Sequence, residues 1–309
     1  MDDGGESIEV VESIAREVLG SPTASVRRAL TGFGNDSWEL EGGDGRSYVL
    51  KIGPASSAAK WRSSHEAMAI ARSAGVPVPQ LVHAGESGRH LVRVLTWVDG
   101  TSAADAALDE AQEGRFIASL GAAVGALHQA RAPGFSSRID GSAPSFARWR
   151  DYLMLRMGQI RARCAATASV ESALVERVGA EVEALAASVD DVCEPVVCHR
   201  DLHLGNLIVA ADGTLAGIVD WDAAEPWDRA GDWFKLEYEV LRRRPERADD
   251  LLAAYLDGSP APSHWRERRR VVHLIEALNT LPNAGVRGWH DEFADRAREH
   301  LFALLAEPR

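Results

Sequence analysis

The sequence predicts an α+β chain in two lobes, a small β-rich one followed by a larger helical one. Three observations predict it. Short β-like segments, separated by Gly-, Asn- and Asp-rich turns, crowd the first hundred residues; helical periodicity dominates after "VDGTS" (98–102); and the strands precede the helices instead of alternating with them. The boundary falls in the connection Thr96–Gly100, dividing residues 1–97 from residues 98–309. A cleft between two such lobes is a natural ligand site.

Each element follows from its pattern. "IEVVESIAREVL" places Ile8, Val11, Ile14 and Val18 on one helical face. The strands expected next are VRRAL, SWELEG, RSYVLKIG, PQLVHAG and HLVRVLTW, with "EGGDGR" as a hairpin turn. A helix over Ser57–Ala74 interrupts them and stops near Gly75-Val-Pro. In the second half, helices are expected near Gln112–Ala130, Phe146–Ala166 and Val170–Ser188, with more from Trp233 onward. A β-rich stretch, "VVCHRDLHLGNLIVAADGTLAGIVDWD" (196–222), interrupts them, with a hairpin of Leu207–Ala210 and Leu215–Val219 closed by Asp212-Gly213.

Composition narrows the function classes. At 309 residues, with 46% hydrophobic and 26% charged residues, the chain can bury a full core. No apolar run reaches the ~18–20 residues of a membrane span, and the acidic start "MDDGGES" leads us to expect no export signal. Three cysteines without a CxxC pair read as reduced thiols of a cytoplasmic protein. A net charge of −12 argues against nucleic acid as a partner. The acidity is uneven: residues 1–100 hold 10 basic and 13 acidic side chains, net −3, and residues 101–309 hold 24 and 33, net −9. Such a second half attracts a cationic small molecule, although acidity that merely maintains solubility leaves the same trace. No obligate protein partner is evident.

The polar residues of 196–222 sit where apolar strands end, where sites are commonly built. The spacing H-R-D-x-x-x-x-N fits phosphoryl transfer. Asp201 would accept the acceptor's hydroxyl proton, and Asn206 would turn back to hold Mg²⁺. The hairpin would return the chain so that Asp220 holds the same ion, hard oxygen donors being what Mg²⁺ prefers. Upstream, "YVLKI" buries Lys51, one of three lysines beside 31 arginines. A buried lysine needs a partner, and Glu66 on the following helix is the candidate. Lys51 would then address the nucleotide's α/β-phosphates. The loop "TGFGNDS" offers Gly34, Asn35 and Ser37 to cover those phosphates.

"VLKI", "HRDLHLGN" and "IVDWD", in that order, resemble the aminoglycoside phosphotransferase family, from about Val26 to Trp233. The resemblance implies a protein-kinase-like fold, ATP or GTP as donor, Asp201 as base, Asn206 and Asp220 as Mg²⁺ ligands, and adenine bound to the backbone near Thr96 and Val98. It also likens Asp232 in "DRAGDW" to the family's structural aspartate. Two positions depart: family members commonly carry Gly at Arg200 and often Pro at Leu204, and some aminoglycoside kinases carry there an acid that touches the drug. The departure bears on the substrate, not on the reaction.

The expected activity is therefore phosphoryl transfer to a hydroxyl of a cationic antibiotic, an aminoglycoside or a cationic peptide, with His203, Asp222, Glu225 and Glu237 as substrate contacts. A metabolic kinase for choline, homoserine, hydroxylysine or methylthioribose is the alternative. A metallohydrolase using His199, Asp201 and His203 leaves Asn206, Asp220, Lys51 and Glu66 unexplained. A binding module without catalysis would be expected to lack one of Lys51, Asp201 or Asp220, and all are present. A protein substrate is disfavoured because Trp221–Glu237 contains no Ser, Thr or Tyr. His199 and His128 read as packed histidines, Cys198 as an inert thiol, and the tryptophans as packing residues.

Overall fold

The computed structural model describes residues 7–20, 23–28, 36–168, 170–287 and 291–307. Helix α1 (Ile8–Leu19) leads to a five-stranded antiparallel sheet of β1 (Thr23–Arg28), β2 (Asp36–Gly42), β3 (Ser47–Gly53), β4 (Leu81–Ser87) and β5 (His90–Thr96). Their spatial order is β1-β2-β3-β5-β4, with helix α2 (Ala58–Ser73) crossing between β3 and β4. Residues directly opposite on paired strands share a face. One face carries Trp38, Leu50, Ile52, Val92 and Val94, and packs on Val11, Ile14 and Ala15 of α1 as a core of its own. Val18 packs at its edge, whereas Ile8 is exposed, because the buried stripe of α1 starts one turn later. The opposite face carries Ser37, Lys51 and Arg93 in a single row, and these polar groups look into the cleft.

Beyond Trp97–Gly100 the chain is mainly helical. In order come β6 (Thr101–Ser102), α3 (Glu110–Leu127), β7 (Phe135–Ser136), β8 (Ser145–Phe146), α4 (Trp149–Thr167) and α5 (Ser172–Val189). Then follow β9 (Pro195–Cys198), β10 (Leu207–Val209), β11 (Leu215–Ile218), β12 (Glu225–Asp228) and α6 (Trp233–Lys235), which a π-helical turn continues over Leu236–Val240. The chain closes with α7 (Ala248–Leu256), α8 (Trp265–Arg287) and α9 (Asp291–Ala306). A capping box starts α3: Asp109 accepts the Gln112 amide, and the Gln112 side chain accepts the Asp109 amide. Gly125 lets α3 meet α7 backbone to backbone, since a Cβ there would stand 2.5 Å from the Tyr255 carbonyl.

The second, larger core centres on Trp149, Trp227 and Trp233, each 1% exposed or less. Truncating one such ring costs about 3–5 kcal/mol. Ala67, Met68 and Ala71 of α2 and Leu95 of β5 belong to this core, not to that of the sheet. The backbone changes character near residue 97, yet α2 packs into the larger core while its Ser64 and Trp61 hold Arg93 of the sheet, so it serves both lobes. That helix ties them together around the cleft.

Candidate active site

Two short ribbons aim the loop between β9 and β10. Strand β9 pairs with β12, and the hairpin β10–β11 pairs through β10 with β6. Asp232, fully buried, accepts the backbone amides of His199 at 3.0 Å and Arg200 at 2.5 Å, and hydrogen-bonds His128 Nε2 at 3.0 Å. Burial pushes its carboxyl up, but these donors outweigh burial and keep it below the ordinary aspartate value. An ionised Asp232 accepts from Nε2–H, leaving His128 Nδ1 to accept the Tyr255 hydroxyl at 2.9 Å. His128 is thus a packed residue. The neighbouring Cys198 thiol is buried and pushed up by desolvation, which makes it a poor nucleophile.

Arg200 sits in the left-handed region at φ 69°. Glycine, the residue the family resemblance leads one to expect here, adopts that conformation freely. The arginine is held by its own side chain, which donates to the Gly231 carbonyl at 2.6 Å and to Glu276 at 2.5 Å, and lies 3.7 Å over the Trp227 ring.

Asp201 is one-third exposed. Its Oδ1 is 3.4 Å from Lys235 Nζ and its Oδ2 is 3.7 Å from His203 Nε2. Burial raises the Asp201 carboxyl, but Lys235, His203 and His199 outweigh burial and hold it below the usual range, so it stands ionised. Asn206, 6% exposed, donates its Nδ2 to the Asp201 carbonyl at 2.9 Å, which leaves Oδ1 as its acceptor. The Val219 amide donates to the Asn206 carbonyl at 2.9 Å. This bond sets Asp220, the next residue, beside Asn206. Asp220 is itself left-handed at φ 60° and accepts from Lys51 Nζ at 2.8 Å. Two hard oxygen donors with a single-point lysine partner suit a Mg²⁺ ion.

Several expected contacts are corrected. Glu66 does not pair with Lys51. The inward face of α2 is Trp61, Ser64, Met68 and Ala71, which turns Glu66 to the exposed side, and Lys51 reaches Asp220 instead. Asp222 is held by Arg93 at 2.6 Å and Lys60 at 3.3 Å. Glu225 accepts from Trp227 Nε1 at 2.8 Å and Tyr152 at 3.3 Å, and faces Arg156 at 3.7 Å. Glu237 is bound by Arg269 and by His273 at 2.9 Å. All three acids expected to bind substrate are therefore engaged within the protein. The three-ligand metal site also fails geometrically. His199 is fully buried; its Nε2 donates to the Val219 carbonyl at 3.0 Å, and its Nδ1 accepts the Asp201 amide at 3.3 Å.

Other residues are placed as follows. Gly34 and Asn35 lie outside the described residues. Ser37 is buried on β2 directly opposite Lys51. The Thr96 amide donates to the Gln80 carbonyl, and the Thr96 hydroxyl oxygen accepts the Gln80 amide, at 2.9 Å each, so the backbone donor of this residue is committed. Val98 packs over Gly217 of β11, where a Cβ would come within 2.7 Å of its Cγ1. His203 Nδ1 accepts the Gly205 amide at 3.0 Å, and desolvation lowers its pKa, so its ring is neutral near pH 7. Sequence reasoning missed Lys235. The signal was available in the scarcity of lysine: each of the three, Lys51, Lys60 and Lys235, lies against an aspartate of this site.

A cleft with this polar row above it, and a carboxylate, an amide and a second carboxylate below, defines a kinase-like phosphotransferase. Residues 25–271 match the model of the phosphotransferase enzyme family typified by APH, and the chain belongs to that family. No curated protein matches it. Among solved structures it is similar to a thermostable mutant of the aminoglycoside phosphotransferase APH(4)-Ia (TM-score 0.75, 18% identity, covering 95% of this chain and 98% of that one). It is also similar to a protein described as a fructosamine-3-kinase from Thermobifida fusca (0.70, 22%, 96% and 100%). A third is spectinomycin phosphotransferase APH(9)-Ia (0.64, 13%, 98% and 95%). At these identities the likeness shows the fold.

Proposed function

We propose that the chain is a Mg²⁺-dependent kinase that transfers the γ-phosphoryl group of ATP or GTP to a hydroxyl of a small cationic acceptor. The observation that carries this reading is the meeting of Lys51–Asp220 with Asp201 and Asn206 across one cleft. Similar structures hold AMP-PNP with hygromycin B, or ADP with spectinomycin, which supports a nucleotide and a small acceptor at the same cleft. Asp201 receives the hydroxyl proton, Lys51 steadies the α/β-phosphates, and Asn206 with Asp220 offers oxygens to the metal. Mg²⁺, when bound, neutralises phosphate charge. Arg93 and the Ser37 row close the cleft from the sheet side.

An antibiotic acceptor is supported by the acidic second half and by the aminoglycoside-kinase likeness. One observation favours the second reading, a metabolic amino alcohol or amino sugar. Asp222, Glu225 and Glu237 are all engaged, whereas Glu239, half-buried and one turn beyond Lys235, forms no ion pair among the described residues and its field reaches His203. One free carboxylate suits one ammonium. The test is a coupled nucleotide-consumption assay with Mg²⁺ and ATP or GTP over aminoglycosides, cationic peptide antibiotics, choline, homoserine and hydroxylysine. Turnover on an acceptor that D201N loses by about 10²–10⁴-fold supports the reading; a D201N enzyme with normal kcat sinks the base assignment.

A further inference from the structure

We propose that Lys235 is a further catalytic residue, one that places its ammonium on the phosphoryl group in flight; this rests on the reading of Asp201 as the base. The chain has 31 arginines and three lysines, and it uses the two for different work. Structural carboxylates are held by arginine: Asp228 by two donors of Arg268, Asp190 by Arg148 at 2.5 Å, Glu276 by Arg200 at 2.5 Å. The two partly exposed aspartates of the cleft have lysines, Lys51 on Asp220 and Lys235 on Asp201, whereas the more deeply buried Asp222 has Arg93 at 2.6 Å beside the outer Lys60. A guanidinium fork locks a carboxylate, whereas an ammonium is a compact point charge whose three donors re-aim freely. Groups that must exchange partners during a reaction are thus matched with the cation that lets go.

Position adds to the case. Lys235 is 27% exposed and stands 3.4 Å from Asp201 Oδ1. A base sits ~2.6–3.2 Å from the hydroxyl oxygen it deprotonates, and that oxygen lies ~3–3.5 Å from the atom it attacks. An ammonium touching the base is therefore within a side-chain swing of the phosphoryl oxygens. Arg200 is committed to Gly231, Glu276 and the Trp227 ring, and Lys51 stands across the cleft on Asp220, where it serves the α/β-phosphates. In the step itself the acceptor oxygen bonds to phosphorus as the bond to the bridging oxygen breaks. The electron pair leaves with the nucleoside diphosphate, and the hydroxyl proton passes to Asp201. Lys235 keeps one N–H on Asp201 and turns another to a non-bridging oxygen, gaining strength as charge shifts there.

The experiment needs no acceptor other than water. Mg²⁺-dependent ATP hydrolysis and calorimetric binding of ADP, with and without aluminium fluoride, are measured for the full chain, K235M, K235A and D201N. K235M is expected to lose about 10²–10³-fold in hydrolysis and at least about tenfold in affinity for the ADP–aluminium fluoride complex, while its affinity for ADP alone is unchanged. Propylamine should restore part of the K235A hydrolysis, a gain that a misfolded variant cannot show. Wild-type hydrolysis and fluoride-complex affinity in both lysine variants, with D201N inactive, would overturn the proposal and leave the base standing. Undiminished hydrolysis by D201N would instead remove the base on which the proposal rests.

Discussion

Asp222→Asn tests whether a buried ion pair joins the lobes. Arg93 of β5 is 1% exposed and Asp222 9%, with 2.6 Å between them. The guanidinium also donates to Ser64 Oγ at 3.2 Å and lies 4.5 Å over the Trp61 ring. Asparagine keeps the shape but removes the charge, and breaking a buried pair from one side costs about 3–5 kcal/mol. Lys60, 42% exposed, adds little because water screens it. Acidity gives a second reading of the same contact. Burial raises the Asp222 carboxyl, but Arg93, Lys51 and Lys60 outweigh burial and bring it from 3.8 down to about 2. As the pH falls, the unfolded chain therefore takes up this proton first. The stabilisation is full above about pH 4 and fades as the pH drops through 2, amounting to roughly 2 kcal/mol. Urea unfolding of both proteins at pH 7 and at intervals down to pH 2.5 measures it, since other carboxylates cancel in the difference. The gap between wild type and D222N should narrow by roughly 2 kcal/mol toward acid. A gap below about 0.5 kcal/mol at pH 7, or one independent of pH, would refute the reasoning.

Two further substitutions probe the cleft and the loop. Gly217→Val should drive its side chain into Val98, which a bare Cβ already meets at 2.7 Å, and so displace the connection between the lobes. The KM for ATP should rise with kcat little changed, and an unaltered KM would count against adenine binding there. Asp232→Asn should weaken its grip on the His199 and Arg200 amides, and those amides should exchange hydrogen faster by mass spectrometry. Turnover should fall in step; full turnover beside accelerated exchange would show that loop rigidity is not required.

The order of strands and helices was legible because periodicity and turn residues are local signals. Helix α2, expected over Ser57–Ala74, spans Ala58–Ser73, and the hairpin after Asn206 turns at Asp212-Gly213. Partnerships were not legible, because they depend on which way a helix is rotated. Glu66 sits one position before Ala67, yet that step of about 100° carries it to the far side of α2. The acids Asp222, Glu225 and Glu237 illustrate the same limit. Their charge is visible in the sequence, but Arg93, Arg156 and Arg269 reach them from elements that are remote in the chain. Lys235 was legible in principle, since lysine occurs three times in 309 positions and each of the three lies against an aspartate of the cleft.

Arg200 and Asp220 show where the cost of the site is placed. Both hold left-handed backbone without being glycine, at about 1–3 kcal/mol each. Neither strain would persist on the bonds of the reactive groups, since Asp201 and Asp220 are each about one-third exposed and their contacts are exchangeable. The offset lies one layer deeper. Asp232, at 0% exposure, takes both loop amides. The Arg200 guanidinium spans Gly231, Glu276 and the Trp227 ring. His199 fastens the loop to Val219, immediately before Asp220, so one buried imidazole sets both strained residues at once. Asp201 and Asp220 can therefore stay loosely held and exchangeable while the backbone beneath them is fastened. That division is what the proposed exchange of charged partners at the cleft requires.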